Sequence, residues 1–372
     1  MSFIGGCSDD VNSFQVPSAS PDDTVMMLPT SGSTGLPKAA ELTHRGNVAQ
    51  LPTIWSSYTK FPTPTDLVMI LTSIQWSTFN MMITTCVVYH IPILISPKIN
   101  TVESVTTLLE KYRPTFAFFA PAFASALVET IRPDQLTSLD QVILLGAPPT
   151  PELLQTLKEK LPEKTHLCDG YGSTETHGFI ALPDREAPAK SNGRVINCLH
   201  YKIVDEEGQE LGLNEAGELW LKGTCIIKKY HKSKKLEESL TEDGWFMTGD
   251  KFHLDRDERI SFVLRMKFSF KFRGSQVSPE EVERVISSVT GVHESVVCAS
   301  DKGPAAAVVL LPHVHVSKED IHRAVDATLS DHKRLHGGIV FVSSLPHTNT
   351  GKLKRSECSK LILDAIAAGD CC

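Results

Sequence analysis

Thr30 to Lys38 reads TSGSTGLPK, and the fold turns on how that stretch is understood. Gly32 and Gly35 let the backbone approach an anion closely, while Ser31, Ser33, Thr34 and Lys38 supply donors and a positive charge, as a triphosphate demands. It is not a Walker A loop, because Gly35 is followed by Leu36, Pro37 and Lys38 rather than directly by Lys and Ser or Thr. On its own a polar surface loop would read much the same. Its weight comes from four companions in order: YGSTET (Tyr171 to Thr176), GELWLKG (Gly217 to Gly223), TGD (Thr248 to Asp250) and PHTNTGKLKR (Pro346 to Arg355).

Upstream of the loop, Val25 to Leu28 is a short apolar run suited to a buried strand, and Thr43 or His44 is placed to open a helix. Strand, phosphate loop, helix is therefore the predicted order. Alternation continues with a helix at Val102 to Lys111, strands at Thr115 to Phe119 and Gln141 to Leu145, and a helix at Pro151 to Lys160. Such alternation predicts a mostly parallel sheet covered by helices. From about Asn192 the texture becomes β-branched and aromatic runs broken by Gly and Asp, at Tyr201 to Val204, Glu218 to Leu221 and Ile260 to Val263. After Lys267 helices return at Glu280 to Ser288 and Lys318 to Leu329, among strands at Ser295 to Cys298, Ala306 to Leu311 and Gly338 to Val342. The expected division is a leader at 1–21, an α/β unit at 22–190, a β-rich unit at 191–264 and a small α+β unit at 265–372.

The 372 residues exceed one ordinary domain, which agrees with that division. A balance of 37 basic to 44 acidic residues, net −7, with no basic block, argues against nucleic acid as the main partner. Nine cysteines lie scattered without metal-type spacing, so reduced thiols and a cytoplasmic location are expected. The most apolar stretch, Met81 to Ile95, is too short to insert in a membrane and carries Thr84, Thr85 and His90, so it reads as a buried helix and strand.

Together the loop and its companions resemble the adenylate-forming superfamily of acyl-CoA synthetases, luciferases and peptide-synthetase adenylation domains, over roughly Asp22 to Lys360. The resemblance implies that fold: a parallel-sheet subdomain, a β-rich subdomain and a small carboxy-terminal α+β domain. It implies that Thr30, Ser31, Gly32, Ser33, Thr34, Gly35 and Lys38 hold the β- and γ-phosphates of ATP, and that Gly146, Ala147 and Pro148 border adenine and the acyl pocket. By the same likeness Tyr171 stacks on adenine, Thr174 contacts the α-phosphate, Glu175 holds magnesium, and Asp250 and Arg265 contact the ribose. Lys352 matches the lysine that bridges the carboxylate and the α-phosphate, a task that suits a flexible point charge. Lys271, Arg273 and Gly274, in KFRGSQVSPEEVE, resemble the lining of the thiol tunnel. That segment also reads as a helix entry, with Ser278 as N-cap, Pro279 first in the helix and Glu281 completing a capping box.

Three departures accompany the likeness. Family members carry a longer section ahead of the phosphate loop than the 29 residues here, which implies an amino-terminally truncated large unit. Leu264 stands where the family usually has a charged hinge residue, and Trp76 is the best match to an aromatic beside the acyl pocket, where its bulk would limit depth. The expected activity is ATP- and magnesium-dependent activation of a small carboxylic acid followed by acyl transfer to a thiol, most simply coenzyme A. Two alternatives stand beside it: loading of a carrier protein's phosphopantetheine thiol, as in peptide-synthetase-like biosynthesis, and a catalytically impaired relic.

Overall fold

In the computed structural model, which describes residues 18–30, 38–53, 62–96, 101–188, 190–233, 236–347 and 353–369, the chain opens on a hairpin. β1 (Thr24–Thr30) pairs antiparallel with β2 (Lys38–Thr43), Thr30 opposite Lys38, and α1 (His44–Thr53) follows at once. The helix begins at His44 as expected, but a strand stands between it and the loop. KAAELT carries no period-2 pattern. It becomes a strand because β1 supplies its ladder and because Glu41, 6% exposed, finds Thr24, Lys229 and His231 around its carboxylate.

A five-stranded parallel sheet comes next, built from β3 (Val68–Ile70), β4 (Ile93–Ile95), β5 (Phe116–Phe119), β6 (Gln141–Leu144) and β7 (His166–Asp169), in the order β4-β3-β5-β6-β7. The crossovers are α2 (Ser77–Val88), α3 (Val102–Tyr112), α4 (Pro121–Thr130) and α5 (Pro151–Lys160). Because strand side chains alternate, Phe116 and Phe118 meet Phe79, Met82 and Cys86 of α2 on one face. Ala117 and Phe119 meet Val105 and Leu109 of α3, Leu127 of α4 and Leu157 of α5 on the other. With both faces covered, the strands are apolar throughout.

Local signals set the helix ends. Thr101 and Thr150 accept the backbone N–H of Ser104 and Leu153 at the starts of α3 and α5. Lys160, in the last turn of α5, donates to the carbonyls of Val128 and Ile131 at 2.6 and 2.8 Å, closing the end of α4.

β8 (Tyr171–Ser173), β9 (Gly178–Leu182) and β10 (Arg194–Val195) form a small antiparallel sheet that leads into a four-stranded meander. The meander is β11 (Leu199–Val204), β12 (Ala216–Gly223), β13 (Phe246–Leu254) and β14 (Ile260–Arg265), over a core of Ile203, Leu219, Leu221 and Phe252. The carboxy-terminal part begins with the hairpin β15 (Phe270–Phe272) and β16 (Ser275–Val277) and the helix α6 (Pro279–Ser287). β17 (Val292–Ser300), β18 (Gly303–Leu310) and β19 (Gly338–Phe341) then make a mixed sheet, with α7 (Lys318–Thr328) and α8 (Arg355–Ala367) completing the fold. A parallel-sheet part, antiparallel β-sheets and a carboxy-terminal α+β part thus follow one another in the order expected from the sequence.

One local expectation fails. Ser278 is the N-cap of α6 and Pro279 follows it, but the buried Ser278 hydroxyl makes no capping bond and has no hydrogen-bond partner among the described residues, and Glu281 pairs instead with Lys333 at 2.7 Å. The tertiary ion pair takes the carboxylate that a capping box would use. Among the described residues no helix is long and apolar enough to cross a membrane.

Candidate active site

The carboxyl ends of parallel strands are where α/β sheets gather ligands, because loops diverge there and leave a crevice. Three such ends matter here. β3 leads to Trp76, β6 to Gly146, and β7 through Gly170 to Tyr171, Thr174 and Glu175.

Tyr171 lies against Phe252, ring centres 4.7 Å apart, and its hydroxyl donates to Asp250 Oδ2 at 2.7 Å. Asp250 faces Arg265 across the β13–β14 ladder, and the guanidinium grips the carboxylate through Nε at 2.6 Å and Nη2 at 2.7 Å. Asp250 is 1% exposed, whereas the Arg265 side chain is 46% exposed, so the carboxylate is buried beneath an arginine open to solvent. Burial first, and the Asp250 charge second, push the Tyr171 phenol well above its usual range, so it remains a donor. GELWLKG and TGD are joined mechanically: Glu218 accepts Gly249 N–H at 2.8 Å and Trp220 Nε1–H at 2.9 Å. Gly249 has a φ of +70°, which glycine adopts without strain and which allows the irregular β12–β13 pairing there.

Glu175 sits on a single 3-10 turn, Thr174–Thr176, and one carboxylate oxygen accepts the Tyr230 hydroxyl at 2.7 Å. Tyr230, 6% exposed, also has Lys38 Nζ 4.7 Å from its ring centre and the Thr30 side chain near its hydroxyl, and bridges to Ala40. Thr30 and Lys38, paired across the β1–β2 hairpin, and Glu175 therefore gather around one tyrosine. Burial, then the Glu175 charge, raises its pKa and keeps it protonated. The other Glu175 oxygen has no hydrogen-bond partner among the described residues, and one or two free carboxylate oxygens beside phosphates are what magnesium takes. The donor set thus fits that cation, with the remaining ligands left to nucleotide and water.

Behind this turn, His177 is buried and in the left-handed region at φ +63°. Its Nε2 accepts Thr43 N–H at 3.0 Å and its Nδ1 donates to the Cys225 carbonyl at 2.6 Å, while burial holds the ring neutral. Gln50 adds bonds to the carbonyls of Thr176 and Phe179, and Ile227 N–H donates to the Glu175 carbonyl at 2.8 Å. The turn is pinned from both sides.

Trp76 is the N-cap of α2 and half-buried. Gly146, at φ +99°, has no side chain, and a Cβ there would lie 3.0 Å from the indole. Ala147 and Pro148 follow, exposed. Trp76, Gly146 and Tyr171 thus line one edge of the sheet.

Lys271, Arg273 and Gly274 lie elsewhere, in and beside the two-residue turn of the β15–β16 hairpin, where Arg273 pairs with Asp331 at 2.6 Å. The carboxy-terminal part does approach the site through Glu280. That residue feels Arg265 and Asp250, and burial raises its carboxyl pKa. Lys352 and the loop residues Ser31, Gly32, Ser33, Thr34 and Gly35 lie outside the described residues. Sequence reading missed Tyr230, His177 and Gln50. Tyr230 is 55 residues from Glu175, and His177 is 134 residues from Thr43, so no local pattern marks either.

The profile of the AMP-binding enzyme family matches residues 5–231, more than half of the chain. The chain belongs to that family. The profile of the AMP-binding enzyme C-terminal domain matches residues 281–352. Among curated relatives, luciferin 4-monooxygenase of Photuris pensylvanica is 31% identical across 95% of this chain and 67% of its own length. 4-Coumarate-CoA ligase 1 of Narcissus pseudonarcissus is 30% identical across 94% and 66%. This AMP-binding enzyme therefore spans about two thirds of the length of the curated relatives it matches. Among solved structures, o-succinylbenzoate coenzyme A synthetase from Bacillus subtilis with AMP superposes with a TM-score of 0.80 at 24% identity, over 91% of this chain and 69% of that one. ATP-bound MatB from Rhodopseudomonas palustris gives 0.84 at 22%, over 95% and 71%. At those identities the two structures speak for the adenylate-forming fold.

Proposed function

We propose that this AMP-binding enzyme activates a small carboxylic acid with ATP and passes the acyl group to a thiol, most simply that of coenzyme A. A carboxylate oxygen attacks the α-phosphorus, the bond to pyrophosphate breaks, and an acyl-adenylate forms; the thiol sulfur then attacks the acyl carbon and AMP leaves. The single observation that carries the reading is the convergence of Thr30, Lys38 and Glu175 on Tyr230, beside the Tyr171–Asp250–Arg265 group, at the carboxyl edge of the sheet. The relatives named as CoA ligases support it.

In this reading Thr30 to Lys38 hold the β- and γ-phosphates, Thr174 contacts the α-phosphate, and Asp250 and Arg265 hold the ribose. Tyr171, Gly146, Ala147 and Pro148 border adenine. Glu175 would hold magnesium, which would supply charge neutralisation at the phosphates. Lys352 bridges the two reacting groups in the first step, and Lys271, Arg273 and Gly274 line the path of the thiol after the 265–372 unit has turned relative to the 22–190 and 191–264 units. Catalysis is then mainly positioning and charge neutralisation. Trp76, pressed over Gly146, closes off depth and favours a compact acid. The scattered free thiols favour a reducing compartment such as the cytoplasm, although one relative is named a peroxisomal ligase.

Pyrophosphate exchange into ATP over a panel of acids tests the first step, and labelled acid offered with coenzyme A or a phosphopantetheine carrier tests the second. A folded chain that exchanges with no acid refutes the proposal, and a Lys352→Ala variant should lose exchange.

A further inference from the structure

The thiols of Cys198 and Cys225 play no part in the site above, yet their sulfurs stand 3.3 Å apart. Each lies in a turn just beyond the Leu199–Gly223 end of the β11–β12 ladder. The turns are closed by Leu199 N–H to the Ile196 carbonyl and Ile226 N–H to the Gly223 carbonyl. A disulfide needs the sulfurs at about 2.05 Å, an approach of roughly one ångström that turn residues can absorb without breaking the ladder. Cys198 is partly exposed and Cys225 is fully buried, so a small oxidant reaches only the first.

We propose that Cys198 and Cys225 are an oxidation site, closing to an intrachain disulfide when the chain meets a hydroperoxide. The Cys198 thiolate attacks hydrogen peroxide: a sulfur–oxygen bond forms, the oxygen–oxygen bond breaks, and hydroxide leaves and takes up a proton as water. The Cys225 sulfur then attacks the Cys198 sulfenic acid, the sulfur–sulfur bond forms, and the Cys225 proton leaves with the hydroxyl as a second water. Two thiols lose two electrons and two protons in all, and one peroxide is reduced to two waters. The hydrogen bond to Cys198, with burial, holds the Cys225 thiol protonated until that step, which suits a resolving partner.

The bond has a route to the candidate site. The Cys225 carbonyl accepts from His177, and Ile227, two residues on, donates to Glu175. A shift of this turn is therefore carried to the Thr174–His177 segment.

The full chain with Cys7→Ser, Cys371→Ser and Cys372→Ser is treated with hydrogen peroxide, alkylated and digested with trypsin, which cuts at Lys202 and Lys222 and so separates the two cysteines. The expected product is a peptide pair linked through Cys198 and Cys225, lighter by two hydrogens, dominant over other links and released by dithiothreitol. Hydrogen exchange over 174–179 should change with the link and revert on reduction, a readout independent of adenylation. Conversion of Cys198 to sulfinic acid with no link overturns the proposal. So does a link that forms no faster in the folded chain than in urea. Cys198→Ser, and Cys198→Ala should the first not fold, is expected to leave Cys225 unoxidised; Cys225 oxidation at the parent's rate in either variant overturns it.

Discussion

Tyr230 donates its hydroxyl to Glu175 across 2.7 Å, fixing a carboxylate carried by only one turn of helix. Hydrogen bonds to charged groups contribute about 1.5–3 kcal/mol. Tyr230→Phe is therefore expected to raise the magnesium concentration for half-maximal pyrophosphate exchange by about tenfold, since ~1.4 kcal/mol is a factor of ten. An unchanged magnesium requirement in the variant would remove Tyr230 from the positioning of Glu175.

Asp250 holds three donors at once, two from Arg265 and one from Tyr171. Asp250→Ala strands a buried phenol, while the half-exposed Arg265 turns to water, so a loss of about 2 kcal/mol in urea unfolding is expected rather than the larger cost of breaking a fully buried pair. Tyr171→Phe, which keeps the pair and the ring, should cost about 1 kcal/mol. Equal losses in the two variants would contradict this ordering.

The indole of Trp76 occupies the space over Gly146. Trp76→Ala should shift kcat/KM toward bulkier acids by about 10- to 100-fold relative to the smallest acid accepted, because apolar pockets discriminate by roughly 1–3 kcal/mol per methylene. A variant that keeps the parent's ranking across a size series would place Trp76 in the core alone.

Asp169 ends β7 two residues before Tyr171, and Asn192 Nδ2 donates to it at 3.0 Å. Burial pushes its carboxyl up from 3.8 to about 7, against that hydrogen bond. Between those two values the folded chain retains a proton that the unfolded chain has lost. Stability from this group is thus full below about pH 4, falls as pH rises to about 7, and is level above. Asp169→Asn should gain on the parent across that window in thermal unfolding, and parallel curves from pH 4 to 8 would show that Asp169 does not titrate there.

A Cβ at Gly46 would fall 2.2 Å from His177 Nε2, where no atom fits. Gly46→Ala must displace the imidazole that accepts Thr43 N–H and donates to the Cys225 carbonyl, so a loss of about 3 kcal/mol is expected. His177→Ala, which leaves both backbone groups without that partner, should cost about as much, and the double variant less than the sum. Additive losses would mean that the two positions are independent.

The amino-acid sequence by itself determined the parallel sheet, most helices and the family. Apolar runs, N-cap threonines and Pro151 act within a few residues, so α3, α5 and β6 are legible from their own segments, as are the glycines and hydroxyls of Thr30 to Lys38. Folding decided what those segments meet. Lys38 to Thr43 is a strand because β1 and the chain at Lys229 to His231 pair with it, and Glu281 leaves the capping box for Lys333. Asp250 finds Tyr171 across 79 positions and Glu175 finds Tyr230 across 55. Contacts at such separations depend on how sheets stack, and no periodicity encodes them. The same holds for Cys198 and Cys225, scattered thiols in the sequence that the end of one ladder sets side by side.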